Sequence, residues 1–290
     1  MWVPYALFYA AWSAISNIYV KKLTQTITPL HTTILMAAFS LPFMVPVILL
    51  TGGFPHATPN LFYLMMGSAL LDTFAFAMAY QAIKTSPLSL IVPLSSFSPA
   101  LTTLIAFIFL KEAPGLIKIL GILFVVVGVY FLNLTDRKKG ILHPFTSLTK
   151  NRGVQLFSAA FVLWAITPVI QKAAISEMSP RVPLFASFVG YIFLIIFMCI
   201  ASFMFKQKFK IVYVKKHIFL FLILGVSIAA SQYASYTAYS QAPVGFAVSI
   251  FRLSVLITVI AGGLIFKEKN IVMRFTGATI MVIGAILIAI

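Results

Sequence analysis

The stretch SPALTTLIAFIFLKE at residues 98–112 returns 156 residues later as SVLITVIAGGLIFKE at residues 254–268. Without a gap, Ser98 falls on Ser254, Thr102 falls on Thr258, and both stretches end in a Lys-Glu pair. The same offset aligns further residues: Tyr80 with Tyr236, Pro87 with Pro243, Gly121 with Gly277 and Gly128 with Gly284. Matching prolines, glycines and ion-forming residues at one fixed offset indicate that the chain is a duplication.

The composition excludes a water-soluble globule. Of 290 residues, 61% are hydrophobic and only 9% are charged, whereas a soluble domain carries about 25% charged residues. Such a chain must lie in a bilayer, where each spanning helix needs about 20 mostly apolar residues. The net charge of +16 comes from basic residues that cluster between apolar runs. That placement is typical of membrane-protein loops, and we expect no nucleic-acid partner.

Charges and turn-forming residues divide the chain into ten apolar spans. These spans lie near residues 1–20, 28–50, 61–83, 87–110, 116–134, 153–172, 182–205, 217–240, 244–266 and 271–290. Each is too long for a strand of an outer-membrane barrel, which alternates over about ten residues. The sequence therefore predicts an all-α integral membrane protein with ten transmembrane helices.

The duplication divides these helices into two sets of five. The first repeat covers residues 1–134, a basic connecting loop covers 135–152, and the second repeat covers 153–290. Because each repeat has an odd number of spans, the two must face opposite ways across the membrane. The expected architecture is a pair of inverted repeats related by a pseudo-twofold axis in the membrane plane.

Polar side chains on shared helix faces predict where a cavity lies. In the eighth span, Gln232, Ser235, Tyr236 and Tyr239 share one face at spacings i, i+3, i+4 and i+7. Bulky polar groups of this kind need water or a ligand as well as a neighbouring helix. Asn17, Ser98 and Ser254 belong to smaller stripes, for which hydrogen bonds between helices are the alternative. Trp164 is central in its span, where a cavity role and a packing role are both open.

Two charged residues lie deep within apolar spans. Arg252 and Asp72 each sit well inside a span, and a charge at the bilayer centre costs at least about 2.5 kcal/mol on insertion scales. In one hypothesis, Arg252 and Asp72 form a buried ion pair that locks the two halves together. In the other, Arg252 binds a substrate carboxylate or phosphate, and Asp72 is its partner or a proton-coupling site. Intramembrane charges favour the functional hypothesis.

The ordered set of motifs resembles the drug/metabolite transporter superfamily, and its EamA-type members in particular. The resemblance rests on a tryptophan and a lysine in the first helix of each repeat and an acid after the fourth. The matching residues are Trp12, Lys21, Glu112, Trp164, Lys172 and Glu268. It implies a carrier with a central cavity lined by helices one, three, four, six, eight and nine. One departure is the loop at residues 51–60, which lacks the basic residues that members usually place there.

The expected function is secondary transport of a small polar organic metabolite such as an amino acid, most often export, by alternating access. The alternative is a flippase for a lipid-linked sugar or other amphiphile, which a wide lateral opening between helices would indicate. The candidate substrate-binding residues are Asn17, Asp72, Tyr80, Ser98, Trp164, Gln232, Tyr236, Tyr239, Arg252 and Ser254.

No enzyme motif is found, and the single cysteine, Cys199, excludes a thiolate cluster. We therefore expect no catalysis, no cofactor and no bound metal. The expected partners are a small-molecule substrate and the lipid bilayer of the cell membrane, which the chain crosses many times. The sequence leaves the oligomeric state open.

The distribution of lysine and arginine predicts the orientation of the chain. The loops that follow odd-numbered helices hold most of the basic residues. The positive-inside rule places those loops in the cytoplasm and both termini outside it. The family resemblance usually implies termini inside. We follow the charges, because charge bias is what sets orientation.

Overall fold

The computed structural model describes residues 1–23, 27–85, 96–133, 151–206, 211–257 and 271–290. Ten helices lie within those ranges. They are α1 (Val3–Leu23), α2 (Pro29–Thr51), α3 (Pro59–Thr85), α4 (Ser98–Leu110), α5 (Leu116–Asn133), α6 (Arg152–Ile175), α7 (Pro183–Met204), α8 (Ile211–Gln241), α9 (Val244–Phe251) and α10 (Ile271–Ala289).

Long apolar helices and an apolar exterior define a membrane fold. In the described part of the chain, α2, α3, α6, α7 and α8 are long and apolar enough to cross a bilayer. Large hydrophobic side chains such as Phe109 and Phe219, each 74% exposed, cover the outer surface. Lipid solvates such a surface and water does not. The predicted all-α integral membrane fold is confirmed.

Helix packing follows a pseudo-twofold symmetry. Helix α3 packs on α6, and their equivalents in the other repeat, α8 and α1, also pack on each other. Helix α2 packs on α8, and their equivalents α7 and α3 also pack on each other. Helix α4 contacts α6 as α9 contacts α1. Three further pairs combine equivalent helices, namely α2 with α7, α4 with α9 and α5 with α10. An exchange of the two halves therefore reproduces the main contacts, as a twofold axis between them requires.

Helices α5 and α10 show that the repeats are inverted. A Cβ on Gly121 would lie 2.9 Å from the Gly284 carbonyl oxygen, and one on Gly128 would lie 2.7 Å from that of Gly277. Gly121 thus meets Gly284 and Gly128 meets Gly277, so the two helices run antiparallel. Equivalent helices in the two halves point in opposite directions. The close approach requires glycine at these positions.

A two-residue β ladder joins two loops on one face of the molecule. Strand β1 (His56–Ala57) pairs antiparallel with β2 (Met178–Ser179), with His56 opposite Ser179. The Thr58 hydroxyl donates to Glu177 Oε2 at 2.6 Å beside the ladder. The loops after α2 and α6 therefore lie together, as alternating spans require. We call this side, at which even-numbered helices end, the even face.

The two repeats lose regular helical geometry at equivalent positions. Helix α9 ends at Phe251, Arg252 forms a turn, and helical geometry resumes over 253–257. The Arg252 N–H donates to the Ser249 carbonyl at 3.2 Å, which is a bond over three residues. Ser96, the equivalent of Arg252 in the repeat, lies in a 3-10 turn directly before α4.

The prolines do not account for these irregularities. A proline inside a helix can kink or break it. However, Pro168 lies inside a continuous α6, and Pro99 occupies the first turn of α4. A proline in the first turn removes no helical hydrogen bond, because that N–H has no intrahelical partner.

Candidate substrate cavity

A cavity of about 500 Å³ lies at the seam between the two repeats. Helices α1, α2 and α3 of the first repeat and α6, α7 and α8 of the second form its walls. The family resemblance implied helices one, three, four, six, eight and nine instead, and that expectation is wrong for the described parts of α4 and α9. These two helices pack on each other and on α6 and α1, which places them outside the ring.

One carboxylate lies on the cavity wall. Asp72 of α3 lines the cavity, and the Thr167 side chain of α6 is its hydrogen-bond partner. One turn earlier on α3, the Ser68 hydroxyl accepts a hydrogen bond from Gln171 Nε2 at 3.2 Å. No lysine, arginine or histidine belongs to the lining that the structure describes. Asp72 is therefore the single charged side chain on the described wall.

Two aromatic side chains lie beside Asp72. Phe76 follows Asp72 by one helical turn and contacts Trp164 of α6, with ring centroids 5.3 Å apart and ring planes at 76°. Both rings line the cavity. Trp164, for which packing and cavity roles were both open, thus does both.

The opposite wall is built from tyrosines and a glutamine of α7 and α8. Gln232, Tyr236 and Tyr239 line the cavity, as does Tyr191. Gln232 Nε2 donates to the Tyr191 hydroxyl at 2.8 Å, and Gln232 Oε1 accepts from the Ser187 hydroxyl at 3.2 Å. This bonding fixes the rotamer of Gln232 and orients the tyrosine hydroxyl. The polar face predicted on the eighth span therefore points into the cavity.

Arg252 is not among the residues that line the cavity. Its guanidinium interacts electrostatically with Tyr9 and Tyr239, and both of these tyrosines line the cavity. Both rings also pack on the neighbouring Phe251, with centroid separations of 4.1 Å for Tyr9 and 5.6 Å for Tyr239. The helical turn at Phe251 and Arg252 thus contacts two tyrosines of the cavity wall.

The structure does not form the ion pair that the sequence offered as one role for Arg252. Both Arg252 and Asp72 are described, and no salt bridge joins them. The guanidinium interacts with Tyr9 and Tyr239 instead, and Arg252 is not among the residues that line the cavity.

The remaining predicted site residues are not brought to Asp72. Tyr80, Ser98 and Ser254 do not belong to the cavity lining, and Ser98 is buried among packed helices. The side chains of Asn17 and Lys21 and the residues Thr258 and Glu268 lie outside the part of the chain that the structure describes.

Several lining residues were not predicted. Tyr9, Thr32, Phe76, Gly190 and Tyr191 all line the cavity. Tyr9 precedes Ser13 by four residues and so shares its helix face, which is a signal the sequence contained. Helices α2 and α7 gave no signal, because their polar lining residues, such as Thr32 and Tyr191, do not recur at helical spacing.

An ion pair joins the two repeats at the even face. Lys172 at the end of α6 pairs with Glu112, which follows α4. Glu112 Oε2 also accepts from the Val244 N–H at 2.9 Å, and Lys172 Nζ donates to the Ala242 carbonyl. We call these four residues the even-face clasp. It joins the first repeat, through Glu112, to two segments of the second.

Within the described residues, no three His, Cys, Asp or Glu side chains come together in a way that could hold a metal ion.

The fold and the cavity define a multi-pass helical membrane protein of two inverted five-helix repeats. The EamA-like transporter family matches the chain twice, over residues 1–134 and 151–290, and the chain belongs to that family. The resemblance found in the sequence is confirmed.

Individual proteins that resemble this chain give evidence on its fold. An uncharacterized protein of Methanocaldococcus jannaschii is 33% identical over 69 residues, which are 24% of this chain and 50% of that protein. The chain thus spans about half the length of this relative. A solved crystal structure is similar with a TM-score of 0.78 and 13% identity, over 99% of this chain and 98% of that one. At this identity the likeness shows a shared fold.

Proposed function

We propose that this protein is a secondary transporter that moves a small polar organic metabolite across the cell membrane, in the direction of export. The observation that carries the proposal is the cavity of about 500 Å³ at the seam between two inverted repeats. This volume suits a small organic molecule. Polar groups from both repeats line it, as in carriers that bind their substrate at the interface of inverted repeats.

The transport cycle that we propose is alternating access. We infer that the even-face clasp, with its one ion pair and two further hydrogen bonds, closes one side of the cavity. Opening that side requires these contacts to break.

The polar wall favours a soluble metabolite over an amphiphile. Ser68, Asp72 and Gln171 line one side of the cavity, and Gln232 lines the other. A lipid-linked substrate needs an apolar path for its tail out of the cavity into the bilayer, whereas this wall offers hydrogen bonds from several helices.

The test compares metabolites inside and outside cells that contain or lack the protein. We expect at least one polar solute to accumulate inside cells that lack it and to be restored by the wild type. Glu177→Gln, which removes a carboxylate from the even face outside the clasp, is the control and should also restore efflux. Accumulation of a lipid precursor in place of a polar solute would overturn the proposal in favour of a flippase.

A further inference from the structure

We propose that the transported solute is an organic cation, whose ammonium group binds between the Asp72 carboxylate and the aromatic rings of the cavity. This inference rests on the proposed transport function, since it names the substrate class of the same cavity.

The charge of the wall is the first argument. Asp72 is the one charged side chain among the described lining residues, and a carboxylate inside a membrane protein needs a compensating partner. Thr167 supplies a hydrogen bond but no charge. Arg252, the one basic residue deep in the described helices nearby, interacts with Tyr9 and Tyr239. A cation bound in the cavity would supply the positive charge that no side chain on the described wall provides.

The aromatic lining is the second argument. Phe76 lies one helical turn from Asp72 and packs against Trp164, so these two rings border the carboxylate. Tyr191, Tyr236 and Tyr239 lie within electrostatic range of Asp72. Aromatic faces attract cations, and rings around a carboxylate form the type of cage that binds ammonium groups. A primary amine and a quaternary ammonium both satisfy this chemistry.

The position of Arg252 disfavours anions and zwitterions. A substrate carboxylate in this cavity would share a confined volume with Asp72 and would find no basic side chain on the described wall. Gln171 and Gln232 can bond neutral polar groups of the substrate, but they cannot neutralise a second negative charge. An amino acid is therefore a poorer ligand than the amine or amino alcohol of the same shape.

Matched probes test the charge directly. Choline, glycine betaine and 3,3-dimethylbutan-1-ol share a compact head and differ in charge, being cationic, zwitterionic and neutral. 2-Phenylethylamine, phenylalanine and 2-phenylethanol form a second such set. Binding to the purified full chain in nanodiscs should be at least about tenfold tighter for the cation of one set or both, as for a desolvated ammonium group against aromatic faces. Equal affinities within both sets, or no binding by either cation, would overturn the assignment.

Variants locate the effect. Asp72→Asn keeps the side-chain shape and should abolish the preference for the cation, whereas Asp72→Glu should keep part of it. Glu177→Gln is the matched control, because it removes a carboxylate outside the cavity and should bind as the wild type does. Wild-type cation affinity in Asp72→Asn would contradict the proposal. If Asp72→Asn does not fold, Trp164→Leu takes its place and should weaken choline binding severalfold.

The outcomes separate this inference from the proposed function. A metabolite comparison that finds efflux of a neutral or anionic solute would support transport and overturn the proposal that the solute is a cation. Cation binding at Asp72 without efflux of any solute would support the site and overturn transport.

Discussion

Gly121 of α5 packs against Gly284 of α10, whereas in the sequence repeat Gly284 is the equivalent of Gly128. In the same way Gly128 packs against Gly277, which is the equivalent of Gly121. Only an antiparallel crossing about a twofold axis produces this exchange. The contact between these two glycines is thus a direct structural expression of the inverted duplication.

A methyl group at this crossing should destabilise the protein. Gly121→Ala places a Cβ 2.8 Å from Ile288 Cγ1 and 2.9 Å from the Gly284 carbonyl oxygen. Overpacking of this kind costs about 1–3 kcal/mol, so the thermal unfolding temperature in detergent should fall. Gly67→Ala is the matched control, since nothing lies within 4 Å of a Cβ at Gly67. Equal unfolding temperatures for the two variants would contradict the close crossing.

Loss of the even-face ion pair should weaken both stability and transport. Glu112→Gln leaves Lys172 without its carboxylate and weakens the bond to the Val244 N–H. A hydrogen bond to a charged group is worth about 1.5–3 kcal/mol, so we expect a loss of stability of that order and reduced efflux. Thermal unfolding and efflux are measured beside Glu177→Gln. A Glu112→Gln protein with wild-type stability and efflux would show that the clasp has no role.

Arg252→Gln should abolish transport and leave the protein folded. The guanidinium interacts electrostatically with Tyr9 and Tyr239 of the cavity wall, and its loss should disorder both tyrosines. Because no salt bridge joins Arg252 to Asp72, adding Asp72→Asn should not rescue the variant. A double-mutant cycle on stability should give a coupling well below that of a direct ion pair, because Arg252 and Asp72 interact indirectly, through Tyr239. Rescue by the second substitution would restore the ion-pair hypothesis.

The orientation of the chain remains a prediction from its charges. In a Cys199→Ser background, Arg181→Cys in the loop after α6 should react with a membrane-impermeant maleimide in intact cells. Ser147→Cys, in the basic loop at residues 135–152, should react only after the cells are permeabilised, because positive loops face the cytoplasm. The reverse labelling pattern would show that the termini lie inside, as the family resemblance implied.

The sequence predicted the elements that the duplication repeats. The ten helices followed from the lengths of the apolar spans. The face of α8 that carries Gln232 and Tyr239 followed from helical spacing, and it does point into the cavity. These features are local, so residues close in sequence contain the information.

Features that depend on how distant segments meet could not be predicted in this way. The ladder between His56 and Ser179 joins loops that share no sequence signal. Gly190 contributes to the cavity through its small size, which a search for polar stripes does not detect. The interaction of Arg252 with Tyr9 depends on the turn that ends α9, and no proline within that turn indicates it in the sequence.

Alternating access is the central claim, and access to one cavity residue from both sides of the membrane tests it most directly. In a Cys199→Ser background, Ser235→Cys places a single thiol on the cavity wall. An impermeant maleimide is applied to right-side-out and to inside-out vesicles, with wild-type Glu112 and with Glu112→Gln. We predict labelling from both sides, with faster labelling from the even face when the clasp is broken. Labelling from one side alone, unchanged by Glu112→Gln, would contradict the account.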